Sequence, residues 1–294
     1  MAITDAVIQY RRFLKRRNCS ANTVKNYMHT LRQFVLWVNI PIEHVKGRKI
    51  LGYIDHLRAR RLQPKTINCH LDSIRGFYNY LIDEEDLKMD NPVKRNYNLR
   101  LPRPLPRYLR DEDVPRLFAH IKSHRDRAIF MLMLRCGLRL EETANLTLRA
   151  IDLRRAQLFI YEGKGGKDRV VYLSDDALKA LSTYLKNRSS SRVRKVFLVE
   201  KGNYKGRPLS LRGIQKRMEY YAKKSGLKVS CHQMRHTMAT QMLNAGAELV
   251  TIQDLLGHSS IRTTERYSKV SNLKVQQDYH KAMEVVMQRT GGNP

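Results

Sequence analysis

The 294-residue sequence predicts a mainly α-helical fold with one small β-sheet, divided into an all-α N-terminal unit and a mixed α/β C-terminal unit. Three observations predict it. Apolar residues recur at helical spacing through most of the chain. Near residue 100 that spacing gives way to prolines alternating with arginines, and one Val-, Ile- and Tyr-rich region reads as strands around a glycine-rich turn. The length suffices for two units with separate cores.

Ile3, Val7, Tyr10, Phe13 and Leu14 trace the stripe of a first helix, with Arg11, Arg12, Lys15, Arg16 and Arg17 filling the remainder. Ser20 can cap a second helix, whose stripe is Val24, Tyr27, Leu31, Phe34, Val35 and Val38. A third spans residues 48–61. Pro64 opens a fourth, because the first helical turn has no use for the N–H that proline lacks; it continues through Ile67, Leu71, Ile74, Phe77, Tyr78 and Leu81. Residues 1–90 are therefore expected to form a four-helix unit, basic on its outer face. Over 91–109, Pro102, Pro104 and Pro106 interleave with Arg100, Arg103 and Arg107, a pattern that favours extended chain and predicts a linker.

Helical spacing returns at 111–121 and 125–135, and Cys136-Gly137-Leu138-Arg139 turns into a short helix bearing Glu141 and Glu142. Strands are expected at 157–161 and 169–173, on either side of Gly163-Lys164-Gly165-Gly166-Lys167. Helices follow at 175–186, 211–224, 232–244, 249–256, 262–268 and 273–288, so residues 110–294 make the second unit.

The charge narrows the partners. Lys and Arg number 56 against 27 Asp and Glu, a net charge of +29. Residues 1–100 hold 19 basic and 9 acidic side chains and the rest 37 and 18, so both units carry the surplus. Two basic units suit one polyanion gripped from both, ahead of a ribosome-associated or membrane-surface protein. The sequence lacks an 18-residue apolar run and a signal-peptide core, which predicts a cytoplasmic protein with no membrane partner. Cys19, Cys69, Cys136 and Cys231 lie at neither metal nor disulfide spacing and read as reduced packing residues.

Four stretches carry chemistry. His258 and Tyr267 lie nine positions apart, about half a turn out of phase on a continuous helix. They can share a site only if the chain breaks between them, and Gly257 can end one helix while Ser259 or Ser260 caps the next. In His232-Gln233-Met234-Arg235-His236, His232 and Arg235 fall one turn apart and can reach one anion together. His232 and His236 have the i, i+4 spacing of metal ligands, but Arg235 between them repels a cation and no acidic or Cys ligand cluster is near in sequence. Lys164 sits in a glycine-rich turn that could approach a phosphate or simply be an exposed hairpin tip. Arg139 with Glu142 is either a plain helix-surface pair or a guanidinium held still to clamp an oxyanion.

Taken in order, Arg-Leu-Glu-Glu, Gly-Lys-Gly, His-x-x-Arg-His, Leu-Gly-His and Tyr resemble the tyrosine recombinase (phage integrase) family over nearly the whole chain, most of all the simple Xer-type recombinases. The resemblance implies an N-terminal SAM-like core-binding domain and a catalytic domain that close as a C-shaped clamp on DNA. It implies Tyr267 as nucleophile, Arg139 and Arg235 on the non-bridging phosphate oxygens, Lys164 as general acid, His232 in general-base assistance and His258 as a phosphate hydrogen-bond donor. The implied partner is double-stranded DNA carrying a specific recombination site, bound by a homotetramer on two sites or a heterotetramer with a related recombinase. The helix at 273–288 is then a candidate subunit contact, with no cofactor, metal or ATP expected. Cys136, Thr143 and Met234 replace the threonine, aliphatic residue and leucine commonest in the family. A catalytically silent DNA-binding accessory protein and a topoisomerase IB-like nicking-closing enzyme are the alternatives.

Overall fold

The computed structural model describes residues 3–102, 107–161, 168–257 and Met283. The chain divides into two compact units, Met1–Arg103 and Pro104–Pro294. The expected turn around Lys164 and Lys167, the caps at Ser259 and Ser260, the helix at 262–268 with Tyr267, His258, and the helix at 273–288 apart from Met283 lie outside the described residues, as do Arg103, Pro104 and Pro106.

The first unit holds the four expected helices, α1 (Ile3–Arg16), α2 (Ala21–Val38), α3 (Gly47–Ala59) and α4 (Pro64–Asp83). Ser20 caps α2 by accepting a hydrogen bond from the Thr23 N–H, and Pro64 begins α4. Leu31, Phe34, Ile50, Leu57, Leu71, Ile74 and Phe77 are buried in the common core. Polar groups that enter this core are paired. The Tyr78 hydroxyl donates to the Ile42 carbonyl, and Tyr53 Oη and His70 Nδ1 lie 3.0 Å apart. Residues 91–99 are fastened along α4. Asn68 exchanges two hydrogen bonds with the Leu99 backbone, Arg75 donates to the Val93 carbonyl, and Val93 is buried in the first core.

The second unit is built around α6 (His124–Arg135), whose Ile129, Phe130, Leu132, Met133 and Leu134 have no exposed surface. Around it stand α5 (Asp113–Ala119), α7 (Leu140–Asn145), α8 (Asp175–Asn187), α9 (Leu211–Ser225) and α10 (Cys231–Asn244). α11 (Leu249–Leu256) packs on α10 through the small cluster of Met238, Leu243, Ile252 and Leu256. The sheet is antiparallel in the order β1 (Ile151–Asp152), β2 (Gln157–Ile160), β3 (Arg169–Tyr172), with Leu158 opposite Val171 and Ile160 opposite Arg169. The mainly helical reading with one small sheet holds. The two-residue β1 is too short to leave a period in sequence, and helix ends differ by a residue or two, as fraying termini do.

No helical or strand period is legible over 187–210, yet Val196, Phe197 and Leu198 are buried there and bridge Leu146 and Leu209 through backbone hydrogen bonds. An apolar run of three residues does not identify itself by period. Arg235 and Thr237 likewise enter the core: Thr237 Oγ1 accepts the Leu109 N–H, tying the end of the Pro/Arg-rich stretch to α10.

One buried ion network holds α6 against α9. Asp126, with no exposed surface, accepts hydrogen bonds from Arg125 Nε and Nη2 at 2.9 and 2.7 Å, from Arg217 Nε at 2.6 Å and from the Tyr221 hydroxyl at 2.9 Å. Burial, together with the Asp126 charge, pushes the Tyr221 phenol up to about 12, which keeps it a donor. Removing the carboxylate leaves the buried Arg125 with only the more distant Glu200 carboxylate, at 3.8 Å, opposite its charge. Asp126→Ala is expected to lower the unfolding free energy by about 3–5 kcal/mol, read from urea denaturation, whereas a loss near zero would mean that the network contributes little.

Candidate active site

The site is assembled from three places distant in sequence: the turn after α6, strand β3, and the α10–α11 pair. Gly137 lets the chain leave α6 sharply. Its φ of +62° is one that other residues rarely adopt, and a Cβ there would meet Leu256 Cδ2 at 2.8 Å and Met238 Sδ at 3.2 Å. The turn delivers Arg139 to the N-cap position of α7. Two of the uncommon residues beside it find partners. Cys136 donates its thiol to the Tyr172 carbonyl, and Thr143 Oγ1 returns a hydrogen bond to the Arg139 carbonyl. The third, Met234, is buried.

Glu142 is the electrostatic centre. Its Oε1 accepts from Arg139 Nη1 at 2.7 Å and from Arg169 Nη1 at 2.8 Å. Its Oε2 accepts from the Arg139 backbone N–H and from Arg169 Nη2, both at 2.7 Å. Four charge-assisted bonds occupy the acceptor capacity of one carboxylate. Burial by itself would raise its pKa, but the hydrogen bonds and charge of Arg169 and the two bonds from Arg139 outweigh it and hold the carboxyl at about 2. Glu142 is therefore ionised at any physiological pH.

α11 closes the arrangement. A helix leaves its last carbonyls without intrahelical donors, at the negative end of its dipole. Here three arginines supply donors to three successive carbonyls. Arg169 Nε donates to Leu255 at 2.8 Å, Arg235 Nη2 to Leu256, and Arg139 Nη2 to Gly257 at 2.9 Å. Arg235 Nη1 also donates to the Gly137 carbonyl, joining α10 to the turn. Gly257 ends the helix in the left-handed conformation at φ +59°, as its place in sequence predicts.

Arg139, His232 and Arg235 line one cavity of about 480 Å³, so the His232–Arg235 face expected from helical spacing does meet the turn that carries Arg139. His232 is exposed at its rim, while Arg235 is buried at 2% exposure. The His232 and His236 rings stand edge to face, 4.3 Å between centroids. Arg139, Arg212 and Arg235 line the cavity against Glu141 and Glu219, and Arg169 behind it offsets Glu142, so positive charge stays in surplus at a partly dehydrated site, which suits a tetrahedral oxyanion. Of the Arg139, Arg169 and Glu142 side chains, only that of Arg139 is open to a ligand, at 24% exposure against 8% and 7%. Lys164, His258 and Tyr267 lie outside the described residues, and Gly257, bound by Arg139, directly precedes His258 in the sequence.

Arg169 is the site residue that sequence reading missed. Its signal was parity: Arg169 lies on the same face of β3 as buried Val171, where an arginine needs a carboxylate. Which carboxylate it meets, 27 residues away, is a tertiary fact.

The model described as the phage integrase family matches residues 107–274, and one described as the phage integrase N-terminal SAM-like domain matches residues 7–86. Among curated proteins, tyrosine recombinase XerA of Thermococcus kodakarensis is 30% identical over 292 residues, covering 96% of this chain and 98% of that protein. A crystal structure of XerA recombinase is 25% identical with a TM-score of 0.55, over 95% of this chain and 98% of that one. A crystal structure of XerH site-specific recombinase bound to palindromic difH substrate has a TM-score of 0.74 at 18% identity, over 90% of this chain and 80% of that one, a likeness of fold.

The low pKa of Glu142 sets a pH dependence. Its folded value lies below the ordinary 4.5, so the stabilisation is complete above about pH 4.5 and is lost as pH falls toward 2. It should be on the order of 3 kcal/mol. Unfolding measured between pH 6 and 2.5 should show this loss in the wild type and a flatter profile in Glu142→Gln; equal slopes would remove Glu142 as its source.

Proposed function

The chain belongs to the phage integrase family as a tyrosine recombinase of the Xer type, and on that premise we propose how it cuts and rejoins DNA. Its activity is site-specific DNA strand transfer. The observation that carries the assignment to these residues is the cavity that Arg139, His232 and Arg235 line together, with positive charge in surplus.

The Tyr267 hydroxyl attacks a backbone phosphorus, giving up its proton with assistance from His232. As the tyrosine oxygen bonds to phosphorus, the bond to the 5′ oxygen breaks and Lys164 protonates that oxygen, leaving a 3′-phosphotyrosyl link and a free 5′-hydroxyl. Arg139 and Arg235 hold the two non-bridging oxygens while negative charge builds on them, and His258 adds a hydrogen bond. Rejoining is the reverse step with the 5′-hydroxyl of a second strand. The covalent link keeps the energy of the broken bond, so two rounds pass through a Holliday junction without ATP. The arginines and the lysine supply the charge a metal would otherwise bring.

The substrate is duplex DNA with a specific recombination site, which the net charge of +29 supports. Strand exchange between two sites calls for four subunits, as a homotetramer or with a related recombinase, and the helix at 273–288 is the candidate subunit contact. The domain limits that fit this division are 1–90 for core binding, 91–109 for the linker and 110–294 for catalysis. No helix among the described residues is long and apolar enough to cross a membrane, and a DNA substrate supports action in the cytoplasm.

Tyr267→Phe is expected to bind a cognate site and form no covalent adduct on denaturing gels. Arg139→Ala and Arg235→Ala should each slow adduct formation by about 10²- to 10³-fold. A wild-type adduct level in Tyr267→Phe would overturn the nucleophile, and sequence-independent relaxation of supercoiled plasmid would assign a nicking-closing enzyme instead.

A further inference from the structure

We infer that Arg169 is a positioning residue for strand cleavage: through Glu142 it fixes the guanidinium of Arg139, and through the Leu255 carbonyl it fixes the end of α11. The inference rests on the reading of Arg139 as a phosphate clamp. Arg169 does not itself reach a ligand, since it does not line the cavity that Arg139, His232 and Arg235 share, and its Nε, Nη1 and Nη2 are engaged by the Leu255 carbonyl and Glu142.

The geometry makes the dependence specific. Arg139 meets the Glu142 carboxylate through Nη1 and the Gly257 carbonyl through Nη2, so its guanidinium is only as fixed as those two acceptors. Arg169 meets the same carboxylate with two parallel bonds of 2.8 and 2.7 Å, and a fork of that kind fixes the carboxylate plane. Both acceptors that orient Arg139 are therefore seated by Arg169, Glu142 through the fork and Gly257 through the end of α11. Charge acts in the same direction. With Arg169 present, Glu142 is compensated from behind and Arg139 keeps positive charge for an oxyanion; without it, Arg139 alone must neutralise a carboxylate that is 7% exposed.

The third bond of Arg169 reaches α11, and its chain lies across Gly257. A Cβ at Gly257 would meet Arg169 Cδ at 3.1 Å and Nη1 at 3.3 Å, so the residue before His258 is seated directly on this arginine. One side chain thus sets both the clamp and the place where the chain leaves α11 toward His258 and Tyr267.

The test uses the full chain, a DNA substrate that traps the covalent intermediate, and single-turnover rates with DNA affinity measured separately. Arg169→Ala should slow adduct formation by about 10²-fold, the scale of a catalytic group misplaced by about 1 Å, with affinity changed less than about threefold. Arg169→Lys keeps the charge and cannot form the fork, so it should stay at least about tenfold slow while melting near the wild type; it also serves if the alanine variant does not fold. Because Arg169 acts through Glu142, the Arg169→Lys and Glu142→Gln effects should be non-additive, the double variant being little slower than the slower single one. Additive effects, or a wild-type rate in Arg169→Lys, overturn the inference. Arg139→Ala separates the two readings: if it cleaves at the wild-type rate the clamp itself fails, whereas a slow Arg139→Ala beside a wild-type Arg169→Lys fails the positioning role alone.

Discussion

The catalytic unit depends on how one helix ends. α11 stops at Gly257, and its last carbonyls would be left without donors at the negative end of a dipole. Arg169, Arg235 and Arg139 each take one. This is a capping problem solved by side chains from a strand, a second helix and a turn, and the solution brings three like charges together. Glu142 makes that tolerable. It accepts from two of the three arginines through four bonds, and its own burial is offset by them. Helix termination, charge compensation and the placing of the proposed phosphate clamp are the same set of contacts. Packing cannot be separated from chemistry here, because a change in any of these four side chains alters both.

The rest of the unit supplies the rigidity that such a site requires. α6 passes through the core with buried apolar residues from Ala128 to Leu134 and ends at Cys136, directly before the turn that presents Arg139. Its other end is held by Asp126, which binds α9 through Arg217 and Tyr221. α9 in turn forms a wall of the cavity, where Arg212 pairs with Glu219 at 3.3 Å. Movement of α6 along its axis would therefore be felt at both the buried carboxylate network and the Arg139 turn. Two carboxylates with almost no exposed surface, Asp126 and Glu142, thus carry different tasks by the same physics: each accepts hydrogen bonds from two arginines and each fastens elements far apart in the chain.

Much of the fold was legible because it is helical and amphipathic. A 3.6-residue period, a serine cap at Ser20, a proline at the start of α4 and a glycine at the end of α11 are local signals with local causes. The two-residue β1 and the buried Val196-Phe197-Leu198 run were not, since neither is long enough to hold a period. The expected sharing of a face by His232 and Arg235 followed from one turn of helix and needed nothing else. The partnership of Arg139 with Glu142 followed in the same way, from three residues of spacing.

By itself, then, the sequence determined the order of the helices up to Gly257, the pairs that lie within one turn of each other, the helix stop at Gly257 and the excess of positive charge, because each of these is fixed by neighbours in the chain or by composition. Only the tertiary structure decided that Arg169 completes the Glu142 carboxylate, that three arginines meet on three consecutive carbonyls, and that Arg235 spans Gly137 and Leu256. Backbone carbonyls carry no residue identity, and a buried arginine advertises its need for a partner without saying which one. Those choices are made by the distances between elements, and the elements find their distances only when the core around α6 is packed.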